Sequence, residues 1–374
     1  MTHPGLMVVG TLAILAVIPA LAIQYRDFLD RAGQRSVIGL TVLISAGSLG
    51  AWLVISSFIP SVWMSPLEPP TAALAAVAGF LASLTIRDTT SRSLPAVVFS
   101  IGWTTLVFAP IAIIVLFPTS VGIPLTAGPL DLGGALPVQV AVGACALTVL
   151  TAGRRGAATD RAHARQGWGL WLLSGLVIWA GWLLGFVGLE LTIDSVITPR
   201  IIENSLIAPV FGIIGWLVAQ RIVNRTTTAN AAVAGMLSGI VAISAGVAYF
   251  TPLWSGITGS VAGLAGALFV YGRIRRTGRH AWFLVGAHLV AASIGLLMVG
   301  IFGLGLGLIY TGQTTLFEVQ FVSIIAVVLW SGLVSSVLWI GVRRSTRHGS
   351  PGALRLREPG TTGVEHRPGA SERP

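Results

Sequence analysis

Eleven stretches of this chain each run for roughly 20 residues with almost nothing but apolar side chains, and a stretch of that length can cross a bilayer as a helix. They fall at about 5–25, 36–59, 69–86, 94–117, 134–152, 167–190, 202–222, 229–249, 253–272, 281–309 and 318–342. In lipid a backbone must satisfy its own hydrogen bonds, so such runs fold as helices. Of the 374 residues, 54% are hydrophobic and only 10% are charged, against about 25% charged in soluble domains. Too few charges remain to cover a water-facing surface. A soluble enzyme, a nucleic-acid-binding protein and a disordered chain are thereby excluded.

The net charge of +10 concerns topology rather than nucleic acid. All 23 basic residues are Arg, and they alternate between the loops. The connections holding Arg26, Arg31 and Arg35, then Arg87 and Arg92, then Arg154, Arg155, Arg161 and Arg165, alternate with connections that hold no Arg. The same alternation continues through Arg221 and Arg225 and through Arg273, Arg275, Arg276 and Arg279 to the C-terminal tail. Only Arg200 falls on the other side. Because basic residues collect on the cytoplasmic face, the N-terminus is expected outside and the C-terminus in the cytoplasm. The start, Met-Thr-His-Pro, has no positive region before its apolar run, which argues against a cleaved signal peptide. The lone Cys145 lies inside a span and offers neither a disulfide nor a metal spacing. No cofactor and no metal site is expected.

Glycine is frequent within the spans, and Gly256, Gly259, Gly263 and Gly266 form a small-residue seam for close helix contact. Gly303, Gly305 and Gly307 mimic a phosphate loop, but they fall inside a span with no strand before them. Ionisable or polar groups at membrane depth are a functional hypothesis by default. Only His288 among the six histidines lies deep in a span, and Gln139 lies deep in the fifth, with Asp131 just before it. Asp131 and Gln139 are eight residues apart, about 12 Å along a helix, which puts Asp131 near the outer mouth and Gln139 near the midplane. The Arg alternation makes spans five and ten enter from opposite sides. Opposed helices five spans apart that bring polar groups to similar depth are what an inverted five-plus-five repeat would give. The chain is therefore read as an all-α membrane protein of eleven transmembrane helices. Repeat one covers about 5–152, repeat two about 167–309, and a last helix about 318–342 stands outside the repeat. Residues 343–374 form a cytoplasmic tail expected to be disordered in isolation. Structural roles stay open for each polar residue: His288 and Gln139 as interhelical hydrogen bonders, Asp131 as a helix N-cap, and Glu190, Glu203 and Glu318 as solvated helix ends.

With these residues in view, the chain resembles the ammonium transporter family (Amt/Mep/Rh) over nearly its whole length. Segment 131–156, DLGGALPVQVAVGACALTVLTAGRRG, is similar to the family's D-[FY]-A-G-G-x-V-V-H stretch, and 103–112, WTTLVFAPIA, to the helix before it. Gly181-Trp182 resembles G-W-x-G-F-N, and 285–288, VGAH, resembles V-F-G-V-H-G-V-G-G. The glycine-rich stretch 235–263 and, in the tail, Gly360 with Glu365-His366 also have counterparts. The resemblance implies a homotrimer in the plasma membrane, with a narrow hydrophobic pore in each subunit. It further implies ammonium recruitment at an outer vestibule and two pore histidines at mid-depth. By matching position, Asp131 and Trp182 are kept and the second histidine is His288, while the first is replaced by Gln139. The vestibule aromatics fall at Leu116 and at Gly185, with Phe186 adjacent, and the vestibule serine falls at Leu189. The acidic residue before the second histidine falls at Phe283. In the tail, Thr362 and Arg367 stand where the family has aspartate and glycine.

The function expected is transmembrane passage of ammonium or ammonia. The pathway would be carried by His288, Gln139, Asp131, Trp182 and Phe186. Two alternatives stand beside it: a non-transporting sensor that docks a cytoplasmic regulatory protein through the tail, and a channel for another small neutral solute. The partners expected are the lipid bilayer, ammonium or ammonia, and further copies of the chain, with no nucleic acid. Enzymatic activity is not expected, because no nucleophile–base pair is recognisable.

Overall fold

A computed structural model describes residues 4–25, 34–87, 93–124, 128–152, 168–279 and 281–348. Within them the regular structure is all helical. The main helices are α1 (Pro4–Gln24), α2 (Gln34–Ser57), α3 (Glu68–Arg87), α4 (Ser93–Leu116), α5 (Ala135–Ala152), α6 (Trp168–Glu190), α7 (Ile197–Asn224), α8 (Ala229–Ile243), α9 (Pro252–Thr277), α10 (Trp282–Phe302) and α11 (Thr315–His348). Ten of these are long and apolar enough to span a membrane, and α8 is the short one. The chain is a multi-pass membrane protein. The loop Arg residues at 26, 31, 92, 154, 155, 161 and 165, His280, and the tail residues Gly360, Thr362, Glu365, His366 and Arg367 lie outside the described residues.

Among the described residues, three helices contain a π turn, in which an extra residue breaks the regular ladder: Thr104–Phe108 in α4, Ala135–Val140 in α5 and Val285–Val290 in α10. In α5 and α10 the turn is six residues long and runs into a 12-residue α-helix, so the two helices share one local design. They are antiparallel. Arg279 Nη1 donates to Leu150 O at 2.9 Å near one end, and His288 meets Gln139 further along.

Two expected boundaries shift. The eighth span, read as 229–249, is helical only to Ile243, after which residues 244–251 turn irregularly, all buried except the half-buried Tyr249 and Thr251. Non-helical backbone at this depth needs partners, and it has them. Asn204 Nδ2 donates to Val247 O at 2.7 Å and Phe250 O at 2.8 Å, and Gly133 N donates to Ser244 O at 2.8 Å. The tenth span, read as 281–309, ends at Phe302. Gly303, Gly305 and Gly307 then form the turn after the helix, with Gly305 at φ +74°, so glycine serves a sharp exit there.

The small-residue seam packs α9 on α7. A Cβ on Gly259 would run into the Ala208 carbonyl, and one on Gly263 into the Gly212 carbonyl. With little hydrophobic force between helices in lipid, such close backbone contact supplies the dispersion that holds them. Overpacking a tight contact costs about 1–3 kcal/mol. Gly259→Leu should therefore melt several degrees below the wild type in detergent, whereas Gly272→Ala, where a Cβ meets nothing within 4 Å, should not. Equal melting of Gly259→Leu and the wild type would refute the seam.

Candidate functional site

The expected site residues fall into two groups. The first lies where α5 begins. The helix starts only at Ala135, so the helical offset of about 12 Å expected between Asp131 and Gln139 does not apply. Asp131 instead sits in a turn whose Gly134 has φ +74°, and its two carboxylate oxygens accept from Ala135 N and Leu136 N at 2.7 Å each. The carboxylate thus caps the helix dipole. Burial pushes its pKa up to about 6, while the N–H groups of Leu136, Ala135 and Gly134 pull it back. At pH 7 the group is therefore mostly ionised.

Phe186 closes over this turn. Its Cε1 lies 2.5 Å from where a Cβ on Gly133 would stand, so only glycine admits the ring. Trp182, one turn earlier on α6, packs against it with ring centroids 5.6 Å apart. Position 185 faces away from this group, since a Cβ on Gly185 would meet Ile14 of α1 at 2.8 Å. The apolar position Leu116 ends α4, but the next residue, Phe117, stacks on Trp52 at 6.1 Å. Trp52 also donates to Glu68 Oε1 at 3.0 Å. Glu68 is a buried carboxylate that the sequence did not flag, because it stands at the first position of α3 and reads as a solvated helix end.

The second group lies in the π turns of α5 and α10. His288 Nδ1 is 2.5 Å from Gln139 Oε1, and both residues are buried, at 1% and 2% exposure. Gly143 allows the approach. A Cβ there would stand 2.5 Å from Leu289 N, beside His288. A π turn re-aims side chains relative to a regular helix, and such turns gather at functional positions. Here each of the two turns carries one member of the pair.

The imidazole has a further partner that the sequence did not reveal. Tyr25, directly after α1, places its hydroxyl 3.0 Å from His288 Nε2, with the two rings 6.5 Å apart. It is itself buried and also packs against Phe283 at 5.8 Å. Tyr25 reads in sequence as the closing residue of the first span, beside Arg26, and no spacing links it to a residue so far along the chain. Its one signal was a phenol hydroxyl at the end of an otherwise apolar run. Both imidazole nitrogens are thus engaged by neutral groups.

The family model described as the Ammonium Transporter Family matches residues 62–347. An ammonium transporter of Bacillus subtilis is 29% identical over 248 residues, covering 64% of this chain. One of Mycobacterium tuberculosis is 26% identical over 220 residues, covering 55% of it. These matches span 60% and 45% of the two relatives' own lengths. Among solved structures, Saccharomyces cerevisiae Mep2 superposes with a TM-score of 0.76 at 19% identity, covering 90% of this chain and 84% of that one. A structure described as a sensor Amt protein gives 0.72 at 15%, covering 92% and 93%. At such identities the superpositions speak for the fold alone. The match of the family model over most of the chain, on a fold that these structures share, decides the matter: the chain belongs to the ammonium transporter family.

Proposed function

We propose that this protein moves ammonium nitrogen across the membrane as neutral ammonia, past the His288–Gln139 pair. Membership of the family supports the substrate, since the relatives in Bacillus subtilis and Mycobacterium tuberculosis are named ammonium transporters. The observation that carries the mechanism is the buried imidazole held between a carboxamide and a phenol. A bare ion taken into a low-dielectric path loses up to ~20 kcal/mol in the idealised limit. Ammonium can leave its proton behind and cross as a small polar molecule, which a metal cation cannot do.

The pair also sets the form of the imidazole. A carboxamide oxygen only accepts, so with Gln139 Oε1 against Nδ1 that nitrogen carries the proton. Nε2 then holds a lone pair, and the Tyr25 hydroxyl donates to it. Ammonia can replace Tyr25 there by donating one of its own hydrogens to Nε2. A relay of the proton along the pair is another matter, because a carboxamide has no accessible pKa. In this account the proton stays on the side it came from, and transport carries no charge.

Asp131 and the Trp182–Phe186 pair belong to the mouth in this proposal, with the carboxylate attracting the cation and Phe186 covering the entrance. The N-terminus lies outside and the C-terminus in the cytoplasm of the plasma membrane, and three copies assemble as the family resemblance implies. The five-helix halves, about 5–152 and 167–309, act as inverted repeats around the pair.

Three outcomes test this. In proteoliposomes, an inward ammonium gradient should alkalinise the lumen without current, and Gln139→His should add an ammonium-dependent current. Absence of both flux and current in the wild type and the variant would end the proposal. Asp131→Asn keeps a capping side chain. It should raise the half-saturating ammonium concentration severalfold at pH 7 but not at pH 5, where the wild-type carboxyl is itself protonated. An equal effect at both pH values would remove the charge from the account. A cysteine introduced at Gly5 should be labelled by an impermeant maleimide on intact cells. Labelling only after lysis would invert the topology.

A further inference from the structure

The last helix has an unusual buried face. Much of α11 turns large apolar residues outward, among them Val322, Leu329, Leu333 and Val337. Among its described residues the fully buried ones are Gln320, Ser331 and Ser335, all polar, with Val327 and Trp339 nearly so. Their spacing of seven, four, four and four puts them on one stripe. A helix held only by packing would bury apolar groups there. The polar members instead bond to particular atoms of the first half of the chain.

Gln320 Nε2 donates to Leu130 O at 2.8 Å, on the residue before Asp131. Ser331 Oγ donates to Ala141 O at 2.6 Å, on the residue after the π turn that carries Gln139. The two bonds grip the ends of one segment, 130–141, which holds both Asp131 and Gln139. Neighbouring residues extend the grip. Trp330 Nε1 donates to Leu106 O at 2.9 Å inside the π turn of α4, and Trp103 Nε1 donates to Ser335 Oγ at 3.1 Å. Gly332 lets α11 lie close to α5, since a Cβ there would stand 3.1 Å from Thr148 Oγ1. A π turn leaves the helical ladder irregular, so an outside donor on a carbonyl beside it can fix where the extra residue sits. Moving that residue by one position would rotate Gln139 away from His288.

The geometry points to Gln320 and Ser331 as positioning residues that set the register of segment 130–141, and through it the point at which Gln139 meets His288. Neither touches the pair. The helix that stands outside the two halves is the part that fixes the carboxamide against the imidazole. The flux arm of the test rests on the function proposed above, whereas the spectroscopic arm does not.

The test uses the full chain, with 15N-labelled histidine, in nanodiscs. Ser331→Ala should shift the His288 Nδ1–H proton resonance upfield, because its bond to Gln139 lengthens, and should lower ammonia flux roughly tenfold, within the loss that a misplacement of ~1 Å can cause. Ser331→Thr keeps the hydroxyl and should restore both. Gln320→Ala should act in the same direction as Ser331→Ala. Ser336→Ala, which removes a bond made only within α11 to Gly332 O, should leave both readouts unchanged. A Ser331→Ala protein that melts lower yet keeps the wild-type His288 resonance would show that the stripe only holds helices together, and would overturn the inference. Loss of flux in Ser336→Ala equal to that in Ser331→Ala would overturn it as well. If the resonance shifts while no variant, wild type included, carries ammonia, the positioning role stands and the transport reading falls.

Discussion

A polar side chain inside a membrane needs a partner, and the structure is arranged around meeting that need for one imidazole. His288 has a carboxamide on one nitrogen and a phenol on the other, and the helices that carry these groups are set by that requirement. An unpaired polar group at such depth costs several kcal/mol, and the contacts that avoid this cost join α5, α10 and the residue after α1. Gly143 brings the two π-turned helices close enough for the bond. The irregular segment after α8 and the turn at Asp131 clasp each other through Gly133 and Ser244.

A carboxamide beside the imidazole gives it a hydrogen-bond partner that does not titrate. Gln139 can hold His288 in one tautomer, but it cannot pass a proton on. In the function proposed above, such a partner suits the passage of a neutral molecule. Selectivity, in that proposal, would come from the cost of dehydrating an ion.

Much of the architecture was legible in the sequence, because the apolar length of each span is a direct consequence of bilayer thickness. The antiparallel pairing of spans five and ten was also accessible, through His288 and Gln139 as the deep polar residues of those two spans. What escaped were features set by backbone register. The end of α8 at Ile243 could not be read from an apolar run that continues to Tyr249, since the irregular segment is as apolar as the helix. The capping geometry of Asp131 depends on a turn that a helical ruler misses. Tyr25 is linked to His288 by the packing of α1 and not by any spacing. The family's motif aligns its aromatic with Gly185, which faces α1, while the adjacent Phe186, named with it in the sequence, covers Gly133. A shift of one residue on a helix turns a side chain by about 100°, which is why these two adjacent positions face different neighbours.

The most direct measurement of the central bond is the imidazole nitrogen spectrum of His288 in the wild-type protein in lipid, at neutral pH. The account predicts a neutral ring with the proton on Nδ1, a strongly deshielded Nδ1–H, and a through-bond coupling lost in Gln139→Leu. A ring protonated on Nε2, or a spectrum that Gln139→Leu leaves unchanged, would contradict it.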